Sequence, residues 1–168
     1  MSLAQRYPRE VAEILDKYPP EHKRSAVMPL LYLAQGDAGY ITKEAMREIA
    51  GLLDMSVTEV GGVVGFYTLY HDKQEGQYRL QVCTDLPCAL RGAEAFLNAL
   101  CENLGVHVGE TSADGLITIE SVKCLAACDK APLFQVQSRD DIEYHENMTV
   151  DRTLELVQTL QRARKEAA

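Results

Sequence analysis

The chain has no tryptophan and only three phenylalanines in 168 residues, and it is short of positive charge, with 17 Lys and Arg against 25 Asp and Glu. The formal charge of -8 argues against a nucleic-acid backbone or an anionic membrane surface as the main partner, because both are bound through clustered cations. No apolar run approaches the roughly 20 residues of a membrane span, so no direct membrane insertion is expected. Met1 to Tyr18 alternates charge with aliphatics and lacks the apolar centre of a secretory signal. Dinucleotide and phosphate-loop fingerprints are also missing: Gly61, Gly62 and Gly65 follow no strand and match neither pattern. There is no Cys-x-x-Cys, which counts against a thiol–disulfide oxidoreductase.

What is present is enough chain to bury a core without disulfides, and five cysteines. In the reducing, cytoplasmic setting that the missing signal suggests, cysteines serve as ligands or redox groups more often than as bridges. Four of them stand as two pairs, Cys83 with Cys88 and Cys124 with Cys128. Each pair follows a run of strand character, Tyr78 to Val82 and Leu116 to Val122, so the ligands are expected on loops leaving strand ends. Such a site needs thiolates, and soft thiolates select zinc, copper(I) or iron–sulfur clusters over calcium and magnesium. Spacings of four and three residues suit an object wider than a single ion, yet by themselves they leave an iron–sulfur cluster, zinc and unligated thiols all open. His22, His71, His107 and His145 lie far from the pairs in sequence, so a mixed His/Cys centre has no support.

The first half reads as helical. Val11, Ile14, Leu15 and Tyr18 recur at helical spacing behind Pro8, and Pro19-Pro20 closes the segment. A second helix from Glu21 towards Gly36 and Gly39 contains Pro29, which implies a bend or a restart inside it. Thr42 is the expected N-cap of a helix over Lys43 to Leu53, and Ser56 with Glu59 forms a capping box for another from Val57 to about Tyr70. Gly61, Gly62 and Gly65 in that helix each cost roughly 1 kcal/mol relative to alanine, which points to close packing, either within the bundle or against a partner. Phe66, Tyr67 and Tyr70 are expected as core and contact residues. Beyond a polar stretch at 71–77 the order becomes strand, helix (about Leu90 to Leu104), strand, strand (Leu133 to Gln137), short strand (Ile142 to Tyr144) and helix (Val150 to Arg164). Asp114-Gly115 and Arg139-Asp140-Asp141 supply turns. The expected architecture is α+β: a helical bundle over residues 1–71, then a thioredoxin-like α/β domain over 78–168. Cys101 sits on the apolar stripe of Phe96, Leu97, Leu100 and Leu104 and reads as packing.

The residues around the pairs carry a resemblance. Cys83-Thr-Asp-Leu-Pro-Cys88-Ala-Leu-Arg-Gly92 and Val122-Lys-Cys124-Leu-Ala-Ala-Cys128-Asp-Lys-Ala-Pro132 are similar to the thioredoxin-like 2Fe-2S ferredoxin family. So are Met28-Pro29-Leu-Leu, Gly39-Tyr-Ile and Glu59-Val-Gly-Gly-Val-Val-Gly-Phe66-Tyr67 in the helical half. The likeness is strongest to the branch that serves NADH-quinone oxidoreductase, respiratory complex I. It implies that Cys83, Cys88, Cys124 and Cys128 bind one 2Fe-2S cluster and that the chain has no catalytic site of its own. It also implies an electron-transfer subunit beside the flavin- and NADH-binding subunit and other peripheral-arm subunits, on the cytoplasmic side of the inner membrane. The same resemblance covers the diaphorase subunit of NAD-linked hydrogenases and formate dehydrogenases, and a zinc-stabilised binding module is the rival of another class. Two positions depart from the family pattern. The loop Thr84 to Pro87 lacks the glycine expected there, and Ala126 stands where glycine is common, so an ordinary backbone angle is expected at Ala126.

Overall fold

The computed structural model describes residues 2–139 and 141–166. The chain divides into two compact units, Met1–Gln74 and Glu75–Ala168.

The first unit is helical: α1 (Leu3–Arg6), α2 (Pro8–Leu15), a 3-10 segment (Pro20–Ala26), α3 (Val27–Ala38), α4 (Lys43–Leu53) and α5 (Val57–Phe66). Its core joins Leu30, Leu31, Ile49, Leu53 and Val60, all fully buried. Local chemistry marks the helix ends. Thr42 accepts from the Ala45 N–H at 3.1 Å, Gly39 closes α3 in the left-handed region at φ 80°, and the Ser56–Glu59 capping box opens α5. The Glu48 carboxylate accepts from the Leu3 and Ala4 amides at 2.6 and 2.8 Å, fastening the start of α1 to α4. No single described helix is long and apolar enough to cross a membrane.

The restart that Pro29 implies falls at Val27, behind the 3-10 segment, which puts Pro29 in the first turn of α3, where its missing N–H costs nothing. Two other expectations change in this unit. α5 stops at Phe66 because Tyr67 turns to an extended angle. Phe66 is 77% exposed and so is no core residue. Of the three glycines of α5 only Gly61 approaches a neighbour, Met46 Sδ at 4.0 Å; a methyl group at Gly62 or Gly65 would meet nothing within 4 Å among the described residues. At 4.0 Å a methyl group on Gly61 would make only an ordinary contact, so packing inside the bundle requires none of the three glycines.

The second unit is a four-stranded sheet in the order β2-β1-β3-β4, built from β1 (Tyr78–Cys83), β2 (Ile117–Val122), β3 (Phe134–Gln137) and β4 (Ile142–His145). β1 runs parallel to β2 and antiparallel to β3, and β3 pairs antiparallel with β4. Three helices accompany it: α6 (Leu86–Leu90), α7 (Ala93–Leu104) and α8 (Val150–Glu166). One sheet face offers Leu80, Val82, Ile117, Ile119, Phe134 and Val136 to the apolar sides of α7 and α8. Alternation along the strands puts Arg79, Gln81 and Gln135 on the other face. There Gln135 donates to Gln81 at 2.5 Å and Gln81 to Glu120 at 2.7 Å, so the buried amides are paired. Asp114-Gly115 turns as expected, with Gly115 at φ 68°. The expected turn at Arg139-Asp140-Asp141 includes Asp140, which lies outside the described residues. Cys101 is half-buried against the α7–sheet core.

Candidate metal centre

β1 and β2 are parallel neighbours in register, Cys83 opposite Val122, so their C-terminal ends open at the same edge of the sheet. The two cysteine loops leave from that edge. Cys83 is the last residue of β1 and is held on both sides: its N–H donates to Leu133 O at 3.2 Å, and the next N–H, that of Thr84, donates to Val122 O at 3.0 Å. Alternation turns its side chain away from the face of Leu80 and Val82. It enters a separate small core with Cys88, Ala93, Ala131 and Leu133, capped by Leu125, Ala127 and Cys128.

Cys88 is carried on a helix rather than on the expected loop, because Pro87 suits the first turn of α6. The short helix buries Cys88 and leaves Leu86 and Leu90, on either side of it, 70% and 81% exposed. Cys128 opens a 3-10 turn (Cys128–Lys130) and is half-buried, and Cys124 is exposed on the loop between β2 and that turn. Two residues of this loop, Cys124 at φ 54° and Ala126 at φ 59°, are left-handed. The expectation of an ordinary angle at Ala126 is thus overturned. The backbone N–H groups of Cys124 and Leu125, on this loop, favour the ionised sulfur of Cys83.

The electrostatics of the thiols follow from these contacts. Burial pushes the Cys83 thiol up, but the N–H groups of Asp85, Leu125 and Cys124 and the Cys88 thiol outweigh it and bring it below the usual thiol value. Cys88 is pushed up to about 12, first by burial and then by hydrogen bonds to, and charge on, Cys83 and Cys128. A cluster of thiols that resists losing its last proton can become fully thiolate only if cationic metal takes the proton's place. The donor set therefore fits a thiophilic metal or an iron–sulfur cluster. The structure sets Cys88 beside both Cys83 and Cys128, and the backbone of Cys124 acts on Cys83. All five cysteines carry free thiols. Cys101 takes no part in this group; burial alone raises its thiol.

Several contacts around the centre involve residues that are not metal-ligand types. Lys123 Nζ donates to Thr84 O at 3.2 Å and to Thr84 Oγ1 at 2.9 Å, Thr84 Oγ1 meets Ser121 Oγ at 2.6 Å, and Arg91 Nη2 donates to Asp129 O at 3.2 Å. Each spans the two cysteine loops or their strand ends. The only trace of them in the sequence is adjacency, Thr84 after Cys83 and Lys123 before Cys124.

Fold and site together define a small helical unit followed by a thioredoxin-like unit with a thiol-lined centre at one sheet edge. The model of the thioredoxin-like [2Fe-2S] ferredoxin family matches residues 11–161, and the chain belongs to that family. It is 44% identical to NADH-quinone oxidoreductase subunit 2 of Thermus thermophilus, over 78% of this chain and 72% of that protein. It is 38% identical to the NADH-quinone oxidoreductase E subunit of Rickettsia conorii, over 89% and 87%. The counterpart of the same name in Mycobacterium tuberculosis is 39% identical, over 90% of this chain but only 58% of that protein. Among solved structures, an NAD+-reducing [NiFe]-hydrogenase in the H2-reduced state aligns at a TM-score of 0.65 and 17% identity, over 79% of this chain and 22% of the other. That last likeness establishes the fold alone.

Proposed function

We propose that the chain is the electron-transfer subunit of an NADH-quinone oxidoreductase and that Cys83, Cys88, Cys124 and Cys128 hold one 2Fe-2S cluster in the thioredoxin-like unit. The observation that carries the site is the convergence of the two cysteine loops at the shared end of β1 and β2, where Cys83 and Cys88 share a small core with Cys128 packed against it. Family membership, and relatives at 38–44% identity over most of this chain that are named for such subunits, support the rest. The hydrogenase reading draws only on a shared fold, so the quinone-reducing complex is preferred.

When bound, the cluster supplies one-electron transfer, its total charge with four thiolates moving from about -2 to about -3. The chain's own residues do the rest. The amides of Asp85, Cys124 and Leu125 favour negative sulfur at Cys83. The small core behind Cys83 and Cys88 keeps water from their inner side. The helical unit, over 1–71, is the docking module in this reading. Exposed Phe66, Tyr67 and Leu69, with the uncovered glycines of α5, form part of the contact with the flavin- and NADH-binding subunit.

Metal and sulfide analysis of anaerobically purified protein, with its EPR spectrum, tests the reading. Two irons and two sulfides per chain are expected, and zinc as the only stoichiometric metal, in protein made with ample iron and sulfide, would end it. Because the chain lacks a nucleotide fingerprint, NADH should bleach it only after the flavoprotein partner is added.

A further inference from the structure

The ammonium of Lys123 is bonded across the gap between the two cysteine loops. It stands immediately before Cys124 in the chain and donates to both oxygens of Thr84, the residue immediately after Cys83. Thr84 is buried at 7% exposure. Its hydroxyl accepts from Lys123, so its own proton is available to Ser121 Oγ at 2.6 Å. The result is a short chain, Lys123 to Thr84 to Ser121, running from the second loop to the end of the first strand and back to the second strand. Both acceptors of Lys123 are neutral oxygens, whereas Lys130, the other lysine of this loop, lies 3.8 Å from the Asp129 carboxylate. Among the described residues, no carboxylate therefore stands against the charge of Lys123, which is held at a fixed place between the two loops in a protein of net charge -8.

We propose that Lys123 is a positioning residue that also raises the reduction potential of the centre held by Cys83, Cys88, Cys124 and Cys128. This rests on the cluster reading above. Reduction adds one electron and no other group, so the centre becomes more negative by one charge, and a nearby fixed cation favours that state. Lys123 is exposed to solvent, which limits the effect through screening. Loss of the charge should lower the equilibrium constant for reduction about three- to tenfold, or roughly 30–60 mV for one electron.

The test is a dithionite titration of the full chain, followed by EPR, for wild type, Lys123→Arg, Lys123→Met and Lys123→Glu, with iron and sulfide measured on each. Lys123→Met should keep most of its iron and fall in potential, Lys123→Glu should fall further, and Lys123→Arg should stay near wild type. The gap between wild type and Lys123→Met should narrow as salt is raised. A wild-type chain without two irons and two sulfides would sink the cluster reading, and this inference with it. Unchanged potentials in iron-loaded Lys123→Met and Lys123→Glu would overturn this inference alone. So would a fall in Lys123→Arg equal to that in Lys123→Met, or loss of iron from all three variants, since each would leave Lys123 a structural tie only.

Discussion

Ala126 offers a test in which the sign of the effect decides. Its φ of 59° lies in the left-handed region, where an L side chain costs roughly 1–2 kcal/mol through contact of Cβ with the following carbonyl. Glycine removes that cost, but its freer unfolded chain takes back roughly 0.4–1 kcal/mol. Ala126→Gly should therefore stabilise the chain by about 0.5–1 kcal/mol. Ala127, the next residue, has φ -130° and gains nothing from glycine. Ala127→Gly should lose at least roughly 0.4–1 kcal/mol, with more for the packing its methyl group gives up. Asparagine, which tolerates the left-handed region, should place Ala126→Asn at or above wild type, and β-branched valine should place Ala126→Val below it.

The chain has no tryptophan to report unfolding, so urea denaturation is best followed by far-ultraviolet circular dichroism, on apo protein kept reduced and metal-free. At m-values of about 1–3 kcal/mol/M, the expected gain moves the midpoint by a few tenths of a molar unit. The midpoints should rank Ala126→Gly above wild type, and wild type above both Ala126→Val and Ala127→Gly. A fall in Ala126→Gly matching that in Ala127→Gly would show that Ala126 is not held left-handed.

Cys101→Ala should retain the iron and sulfide of wild type at a stability cost under about 1 kcal/mol, whereas alanine at Cys83, Cys88, Cys124 or Cys128 should lose or cripple the centre; metal analysis of the five variants separates the two groups. A pH effect should appear at the start of α5. The Ser56 backbone N–H, the Ser56 hydroxyl and the Arg24 guanidinium hold the Glu59 carboxyl down to about 2, from an ordinary 4.5. A depressed carboxylate contributes stability above its unfolded value and loses it as pH falls through its folded one. The stability difference between wild type and Glu59→Gln should thus be full near neutrality and vanish between about pH 4.5 and 2; a difference that persists at pH 2 would refute the assignment.

The elements that could be read from the sequence are those whose signals are carried by side chains. Thr42, Ser56 and Glu59 mark helix starts because their oxygens satisfy free N–H groups, and that chemistry is local. The alternation in β1 and β2 is equally plain, since one sheet face is apolar. Pro29 announced a restart because proline excludes a helix interior, but it does not say at which residue the helix begins; the 3-10 segment before Val27 fixes that. Phe66 misled because a large apolar side chain reads as core even where its own unit leaves it uncovered. Helix α6 escaped notice because five residues are too few to show a period.

The pairs Cys83–Cys88 and Cys124–Cys128 announce a centre because ligation demands particular side chains. What shapes that centre is largely backbone: the N–H groups of Asp85, Cys124 and Leu125 favour the Cys83 thiolate, and two left-handed angles, at Cys124 and Ala126, turn the second loop. Glycine at position 126 would have advertised such an angle, and alanine conceals it, since a residue's letter reports the conformations it prefers and not one imposed on it. Strain of this kind persists only where surrounding contacts over-determine the loop. Here those contacts are Cys83 pinned to Leu133, Thr84 pinned to Val122, and Lys123 and Arg91 bonded across the gap. The expected angle at Ala126 failed where the needs of the four thiols override local preference, which is where a functional site departs from the rules that hold in the rest of the fold.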